Sequence, residues 1–393
     1  MDLSQKVLAV KPSATLAIAA KAREMKARGI DVISLSAGEP DFDTPGFIKE
    51  AAIDALRKGQ TKYTPVAGTL ELREAICRKL KRDQGLDFTP DRIVVGTGAK
   101  HAIFNVLFAL LNPGDEVLIP SPYWLSYPEM VTVLGGTNVF LPTSEATDLK
   151  ITPAMLEKAI TPKSRVLILN SPSNPTGRVY SKEELLALAA VLKKHPQVLV
   201  LSDEIYEKLV FDGQKHWSIA QLDPEVAKRT IIVNGHSKAY AMTGWRLGYA
   251  ACPDKTLAKA VESIQSHSTS NPVSFAQAGG AVALDKGDEE AGKMKAVFEK
   301  RRDLFLDLLS KIDCFKATKP GGAFYIFVNI KKTGLSAFEV ARRLLDEAHV
   351  AVVPGEPFGS PEHIRLSCAC SEKDIRTAVD RMAAWVRKPG APA

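Results

Sequence analysis

The sequence lacks the long apolar runs that a membrane-spanning helix needs. Its 393 residues contain no uninterrupted apolar stretch of about 18 residues or more. The N-terminal segment MDLSQKVLAVKPSATLAIAA has neither a continuous apolar core nor an early basic cluster, so it does not fit a cleaved secretion signal. We therefore expect a cytoplasmic protein with no membrane partner.

Cysteine is also scarce, and its spacing fits neither a metal site nor a disulfide framework. The cysteines are odd in number: Cys77, Cys252, Cys314, Cys368 and Cys370. In a cytosolic protein, such residues are typical of reduced, buried or half-buried thiols. We expect no bound metal.

No block of one charge sign stands out, although the net charge is +7 and the isoelectric point is about 9.0. Basic residues alternate with acidic ones, as in the segment ELREAICRKLKRDQ. A nucleic-acid surface would favour a concentrated basic patch. Because an anionic small substrate and an anionic cofactor account for the same excess, we expect no nucleic-acid partner.

The central part of the chain alternates short apolar strands with amphipathic helices. The predicted strands are residues 92–96, 116–120, 138–141, 165–170, 198–202, 230–234 and 247–251. Several are nearly continuous runs of Val, Ile and Leu, which is typical of strands covered on both faces. Helices between them include residues 100–111, 181–194 and 254–266. This alternation predicts an α/β fold with a mostly parallel, seven-stranded sheet between helices.

The C-terminal third has a different pattern and predicts a smaller α+β domain. It contains a long helix at 288–309, a helix at 336–347, a last helix from 372, and strands at 323–328, 350–353 and 364–367. The chain length fits a large domain with such a partner. A further helix at 15–28 cannot be placed by pattern alone.

The sharpest chemical signal is the segment NGHSKAYAMTGWRLGY, which follows a buried strand. Its Lys238 lies at the carboxyl end of that strand, the edge of an open α/β sheet where ligands bind. Ser237 offers a hydroxyl, and Arg246 offers a planar guanidinium suited to phosphate. A second cation near a lysine favours its neutral amine, as imine chemistry requires. Taken alone, Lys238 fits a surface lysine in a glycine-rich turn equally well.

Two further polar residues follow strands. Asp203, in LSDEIY, can keep a ring nitrogen protonated, or it can serve as the N-cap of the next segment. Asn174, in NSPSNPTG, lies in a sharply bent loop, where its amide can donate to a phenolate oxygen or simply belong to a turn.

The junction between a strand and a helix at VGTGAKH is a candidate anion site. Backbone N–H groups and the helix dipole favour an anion at such a junction, here at Gly98 and Ala99. It differs from the dinucleotide fingerprint because His101 stands where the third glycine belongs. Lys100 either lies in solvent in the first turn or points into the site.

An aromatic residue and a buried arginine complete the signals. Trp124, in PSPYW, can stack on a flat heterocycle or belong to the core. Arg365 stands on an otherwise apolar strand, and a buried arginine needs a carboxylate partner, either structural or from a substrate.

In this order and spacing, the motifs together resemble those of the class I pyridoxal-phosphate aminotransferases. The resemblance extends from Lys11-Pro12-Ser13 to the last helix and is closest to the bacterial aspartate aminotransferases of the Ib subgroup, which include aspartate/prephenate aminotransferases. The SNPTG, SDEIY and SK…GWR…GY motifs are jointly very specific to this superfamily and less specific for the substrate. Residues 34–45, 62–65 and 321–325 are further family-like segments.

The resemblance implies a fold-type I transferase with pyridoxal 5'-phosphate as its cofactor. A large cofactor-binding domain is expected at residues 44–285, and a small domain at residues 1–43 and 286–393. The resemblance also implies a homodimer with active sites shared across the interface, because Tyr63 is expected to reach the phosphate of the neighbouring subunit.

The resemblance gives the cofactor-binding residues their expected roles. Lys238 is expected to form the imine and to move the substrate α-proton, and Asp203 to pair with the pyridine nitrogen. Asn174 and Tyr206 are expected to bind the ring phenolate, and Trp124 to stack on the ring. Five residues are expected around the phosphate: Gly98, Ala99, Lys100, Ser237 and Arg246. The expected catalytic residues are thus Lys238, Asp203 and Tyr206.

The substrate site follows from the same resemblance. Arg365 is expected to hold the α-carboxylate in two parallel hydrogen bonds, with the backbone of Gly38 close by. In the Ib subgroup, a lysine at the place of Lys100 and a threonine at the place of Thr15 are associated with binding of a side-chain carboxylate. Trp124 and Asn174 are also expected to contact substrate.

The implied reaction is a ping-pong transfer of the amino group between aspartate or glutamate and 2-oxo acids, namely oxaloacetate or 2-oxoglutarate. An aspartate/prephenate or broader aromatic specificity stays open, because the ring carboxylate of prephenate could use the same cation. A β-eliminating lyase or a decarboxylase would use the same lysine, although Lys100 and Arg365 together favour transamination of a diacid. A non-catalytic regulator on this fold would carry a DNA-binding domain, whereas this sequence begins almost directly with the family's N-terminal segment.

Overall fold

The computed structural model describes residues 2–10, 12 and 14–387, with the backbone alone for Ala14 and Leu16. Lys11 and Ser13 of the family-like N-terminal segment lie outside the described residues. So do residues 1 and 388–393 of the predicted small domain.

Strands and helices alternate along most of the described chain. The strands are β1 (Ile33–Ser34), β2 (Ile93–Gly96), β3 (Glu116–Ser121), β4 (Thr137–Pro142), β5 (Ser164–Asn170), β6 (Leu199–Asp203), β7 (Thr230–Gly235), β8 (Gly248–Ala251), β9 (Lys316–Ala317), β10 (Tyr325–Asn329), β11 (Val350–Ala351), β12 (Val353–Pro354) and β13 (His363–Ser367). The helices are α1 (Gln5–Leu8), α2 (Ala14–Ala27), α3 (Gly46–Arg57), α4 (Leu70–Gln84), α5 (Ala99–Leu110), α6 (Ser126–Val133), α7 (Pro153–Ala159), α8 (Lys182–Lys194), α9 (Pro224–Ala227), α10 (Lys255–Ser266), α11 (Ser274–Lys286), α12 (Asp288–Leu309), α13 (Ala337–Ala348) and α14 (Glu372–Val386).

The large sheet has seven strands in the order β2-β8-β7-β6-β5-β3-β4. Only β8 runs antiparallel to its neighbours, and the pairs from β7 to β4 are all parallel. The predicted mostly parallel, seven-stranded sheet is therefore confirmed.

Both faces of this sheet are covered, as the apolar sequence of its strands requires. Successive residues of a strand point to opposite faces. In β5, Val166 and Ile168 join the apolar cluster that contains Ile103 of α5. Leu167 and Leu169 instead join the cluster that contains Leu188 of α8. An uninterrupted apolar strand thus packs against a layer of helices on each face of the sheet.

The parallel register brings the polar segments after the central strands to one edge. Asn170 at the end of β5 pairs in register with Asp203 at the end of β6, and Asp203 pairs with Val233 of β7. The loops that carry Asn174 and Lys238 begin at the same edge. Ligands of open α/β sheets bind at the carboxyl ends of the strands, so this register positions the site.

A second, four-stranded sheet has the order β12-β13-β10-β9 and is antiparallel throughout. The predicted strand at 350–353 is divided around Val352, because β11 leaves this sheet and pairs in parallel with β1. Ala22 and Met25 of α2 pack in one cluster with Ala351 of β11. These contacts place the N-terminal helix on the C-terminal module and support the predicted domain division, which stays a prediction.

None of the helices in the described ranges is both long and apolar enough to cross a membrane. All five cysteines are described, and all are free thiols.

Candidate active site

A cavity of about 610 Å³ opens at the carboxyl edge of the large sheet. The small sheet contributes Tyr325 and Arg365 to its wall. Most predicted site residues line this cavity: Thr15, Gly38, Ala99, Lys100, Trp124, Asn174, Asp203, Tyr206, Ser237, Lys238, Arg246 and Arg365. Gly98 precedes a lining residue, whereas Tyr63 is not among them and is 92% exposed.

Lys238 follows β7 and reaches across the cavity to the N-terminal segment. Its Nζ donates to the backbone carbonyl of Gly38 at 2.5 Å. Burial lowers the pKa of Lys238 to about 8, with Glu39 opposing the shift and Arg365 adding to it. The neutral amine is therefore accessible near neutral pH, as a nucleophile or base requires.

Asp203 is a buried carboxylate at the end of β6. Tyr127 Oη donates to its Oδ2 at 2.6 Å, and the Ile205 amide donates to its Oδ1 at 3.2 Å. Burial raises the pKa of Asp203 to about 6 against these two hydrogen bonds. Within the described part of the chain, no cationic group lies within ion-pair distance of it. Such a carboxylate fits a ligand that brings its own positive charge.

The junction between β2 and α5 forms a cradle closed by Arg246. Gly98 precedes α5 with a φ of 94°, a conformation that favours glycine. A Cβ added at Gly98 would lie 2.6 Å from Nη2 of Arg246. Arg246 also donates to the carbonyls of Thr97 at 3.2 Å and Thr243 at 2.9 Å. A helix N-terminus beside a guanidinium suits a phosphate group.

Arg365 lies on β13 and is 3% exposed. It donates to Asn174 Oδ1 at 2.9 Å and to the Ser36 carbonyl at 3.1 Å. Its Nε is buried without a hydrogen-bond partner, and no carboxylate of the described residues lies within ion-pair distance. The sequence predicted a carboxylate partner, so an external carboxylate fits this guanidinium best. Because the Asn174 oxygen accepts from Arg365, its amide nitrogen is left to donate elsewhere.

Tyr206 is buried beside Tyr325, and their hydroxyl oxygens are 2.9 Å apart. Burial raises the pKa of Tyr206 well above its usual value, and Tyr325 adds to the shift. Tyr206 therefore stays a protonated hydrogen-bond donor.

Trp124, Lys100 and Thr15 form another part of the wall. The Nζ of Lys100 lies 4.9 Å from the centre of the Trp124 ring, a cation–π arrangement. Partial burial lowers the pKa of Lys100, and the neighbouring Arg246 lowers it further. A carboxylate near Lys100 would stabilise its charged form and so offset the lowered pKa.

The sequence analysis gave no role in this site to the other charged and aromatic lining residues, which are Arg23, Lys26, Glu39, Tyr127 and Tyr325. Arg23 and Lys26 follow Thr15 at helical spacing on α2, so extending that face would have found them. Tyr127 gave no local signal, because its partner Asp203 is distant in sequence. Tyr325 ends the family-like segment 321–325, but no role was assigned to it.

Residues 30–382 match the family model described as aminotransferase class I and II. The aspartate aminotransferase of Geobacillus stearothermophilus is 50% identical over 387 residues, covering 97% of this chain and 98% of that relative. The aspartate/prephenate aminotransferase of Cereibacter sphaeroides is 47% identical over 393 residues, covering 98% of each. The solved structure of Thermus thermophilus aspartate aminotransferase with maleate has a TM-score of 0.94 at 45% identity, covering 98% of this chain and 99% of that chain.

A parallel sheet with a lysine, a buried carboxylate and an anion cradle at its carboxyl edge defines a fold-type I pyridoxal-phosphate enzyme. The chain belongs to the class I and II aminotransferase family. It is an aminotransferase that depends on pyridoxal 5'-phosphate. The predicted family, fold class and cofactor are thus confirmed, while the roles of individual residues stay predictions.

The cavity fits this cofactor at three points. The Gly98 cradle suits the phosphate, since a side chain there would meet Arg246. The buried Asp203 has no cationic partner at ion-pair distance among residues 2–10, 12 and 14–387, and a protonated pyridine nitrogen can supply that charge. The Lys238 amine lies in the same cavity.

Proposed function

We propose that the enzyme transfers the amino group between aspartate or glutamate and 2-oxo acids such as oxaloacetate and 2-oxoglutarate. Relatives named aspartate aminotransferase, at 47–50% identity over nearly the whole chain, support this specificity. The observation that carries the proposal is the buried Arg365, which no carboxylate in the described part of the chain pairs with, together with Lys100 as another cation in the same cavity. A dicarboxylic substrate would supply one carboxylate to each.

When bound, pyridoxal 5'-phosphate supplies an aldehyde that forms imines with amines and a ring that withdraws electrons. Arg365 binds the α-carboxylate in two parallel hydrogen bonds and so orients the substrate. The neutral amine of Lys238 would take the α-proton and deliver it to the aldehyde carbon of the bound cofactor, a contribution of roughly a hundred- to ten-thousandfold. Asp203 holds the proton on the ring nitrogen, and Tyr206 and Asn174 donate to the ring oxygen.

The distal carboxylate is assigned to Lys100, which the cation–π contact with Trp124 holds beside the cavity. Replacing Lys100 by alanine should lower kcat/KM for aspartate by roughly thirtyfold or more, the cost of losing one partner of a desolvated charge pair. A monocarboxylic amino acid such as leucine should lose only a few-fold. Lys158→Ala, which removes an exposed lysine of α7 outside the cavity, is the matched control. Equal losses for aspartate and leucine would discard the assignment.

Prephenate is a second candidate acceptor. Relatives named aspartate/prephenate aminotransferase support it, and so do Arg23 and Lys26, which add two cations to the cavity wall. A screen of amino donors against oxaloacetate, 2-oxoglutarate, a monocarboxylic oxo acid and prephenate tests both readings. Turnover of prephenate at a rate near that of oxaloacetate would establish the broader specificity, and no turnover would remove it.

We also propose that the enzyme acts as a cytoplasmic homodimer with shared sites. The exposure of Tyr63, together with the exposed apolar side chains of Phe47, Leu56 and Leu70, supports an interface that includes residues 47–70. The five free thiols suit a reducing compartment.

A further inference from the structure

Tyr325 is the first residue of β10 and forms part of the wall that carries Arg365. In the antiparallel pair of β10 and β13, Phe327 lies opposite Arg365, and Tyr325 lies two residues away on the same face. The Arg365 guanidinium sits 4.3 Å from the centre of the Tyr325 ring. Tyr325 also lines the active-site cavity, although the sequence assigned it no role.

A hydrogen bond between two hydroxyls links Tyr325 to Tyr206. Their oxygens are 2.9 Å apart, and the rings pack edge to face with centroids 5.8 Å apart. Tyr206 follows β6 of the large sheet, whereas Tyr325 belongs to the small sheet, so this bond joins the two sheets. Either oxygen can donate in this pair, but each hydroxyl has only one proton.

The proposed function decides the direction of this bond. If Tyr206 donates its proton to the ring oxygen of the cofactor, it can only accept from Tyr325. In the described residues, the Tyr325 hydroxyl has no hydrogen-bond partner other than Tyr206. Burial raises the pKa of Tyr325 against the effect of Arg365, so its proton is retained and available to donate.

We propose that Tyr325 is a positioning residue whose hydroxyl donates to Tyr206 and thereby directs and strengthens the hydrogen bond that Tyr206 makes to the cofactor. The inference rests on the proposed function, because it requires Tyr206 to contact the ring oxygen. Hydrogen bonds in such a chain polarise one another, so a donor that also accepts becomes a better donor. Donation to the ring oxygen favours the deprotonated imine at Lys238 and lowers its pKa.

The test is a spectroscopic pH titration of the cofactor-loaded protein. Tyr325→Phe removes one hydroxyl and keeps the ring that packs against Arg365. The imine pKa, read from the absorption band, should rise by roughly 0.3 to 1 unit, since a net hydrogen bond is worth about one unit at most. Tyr206→Phe should raise it further, and the double variant should match Tyr206→Phe alone, because Tyr325 acts only through Tyr206.

Tyr180→Phe is the matched control, since Tyr180 is also buried but lies outside this cavity. Its imine pKa should equal that of the unaltered protein. An unchanged imine pKa in Tyr325→Phe, while Tyr206→Phe raises it, would overturn the inference and leave the proposed function intact. Additive shifts in the double variant would also overturn it. If the unaltered protein showed no titrating imine band, the proposed function would fall and this inference with it.

Discussion

Replacing Asp203 by asparagine should stabilise the cofactor-free protein and disable the loaded enzyme. Asp203 is 3% exposed, and burial raises its pKa from 3.8 to about 6. A carboxyl group with a folded-state pKa above its unfolded value prefers to be protonated in the folded protein. The cost of ionising it therefore begins as the pH rises past 3.8 and is complete above about 6.

The size of this cost follows from the shift. About two pKa units correspond to roughly 3 kcal/mol of folding free energy above pH 6, and about half of that is already present at pH 5. Asparagine carries no charge, so the cost disappears in Asp203→Asn. Losing an acceptor for Tyr127 or Ile205 offsets about 1 kcal/mol of the gain at every pH. The stability difference between variant and unaltered protein should still grow by roughly 1 kcal/mol between pH 5 and pH 8.

Urea unfolding of the cofactor-free protein at both pH values, at one fixed protein concentration, measures this difference. Asp87→Asn, which removes a carboxylate from the surface, is the control and should show no comparable growth. In the loaded enzyme, Asp203→Asn should lower kcat by roughly a hundred- to a thousandfold, as expected for one preorganised charge. A stability difference that stays constant from pH 5 to pH 8 would refute the argument that burial disfavours the ionised form of Asp203.

Three other predictions concern the remaining parts of the site. Arg365→Ala should raise KM by roughly a hundredfold for all amino acids alike, and an unchanged KM would remove Arg365 from the carboxylate site. Borohydride should attach the cofactor covalently to Lys238, and attachment to another lysine would contradict the assignment. The rate at which the protein binds the cofactor should rise between pH 7 and pH 9, because a pKa of about 8 makes the Lys238 amine mostly neutral above pH 8. Subunits carrying Tyr63→Phe should regain activity when mixed with Lys238→Ala subunits. One site of each mixed dimer then has Lys238 from the first subunit and Tyr63 from the second. No recovery of activity would place Tyr63 outside the neighbouring site.

The sequence was sufficient to predict the large sheet and most of the residues around the cavity. Strands such as β5 are apolar without interruption, and in a parallel sheet all residues that follow such strands meet at one edge. Asp203 and Lys238 could be placed there because each follows a predicted strand. Arg365 was predicted to be buried because its neighbours on β13 are apolar.

What the sequence could not give are contacts that depend on long-range register. The pairing of β1 with β11 joins residues more than 300 positions apart, as in Ile33 with Val350, and no local pattern encodes it. The hydrogen bond from Tyr127 to Asp203 depends on how α6 packs on the sheet. In sequence, an aromatic residue there is indistinguishable from ordinary core. The same holds for Tyr325, which reaches the site only through the docking of the small sheet.

The three central groups of the site are each held in a state that folding alone disfavours. Among the described residues, Asp203 is a buried carboxylate without a cation at ion-pair distance and Arg365 is a buried guanidinium without a carboxylate at ion-pair distance. Lys238 is an amine whose pKa is depressed. Cofactor and substrate bring the missing partners, and a buried charge gains most from a partner when it has none. Cofactor binding should therefore stabilise the unaltered protein more than Asp203→Asn, by up to the same roughly 3 kcal/mol that the charge costs the cofactor-free fold. The stability that these buried groups cost the fold is then recovered as affinity for the cofactor.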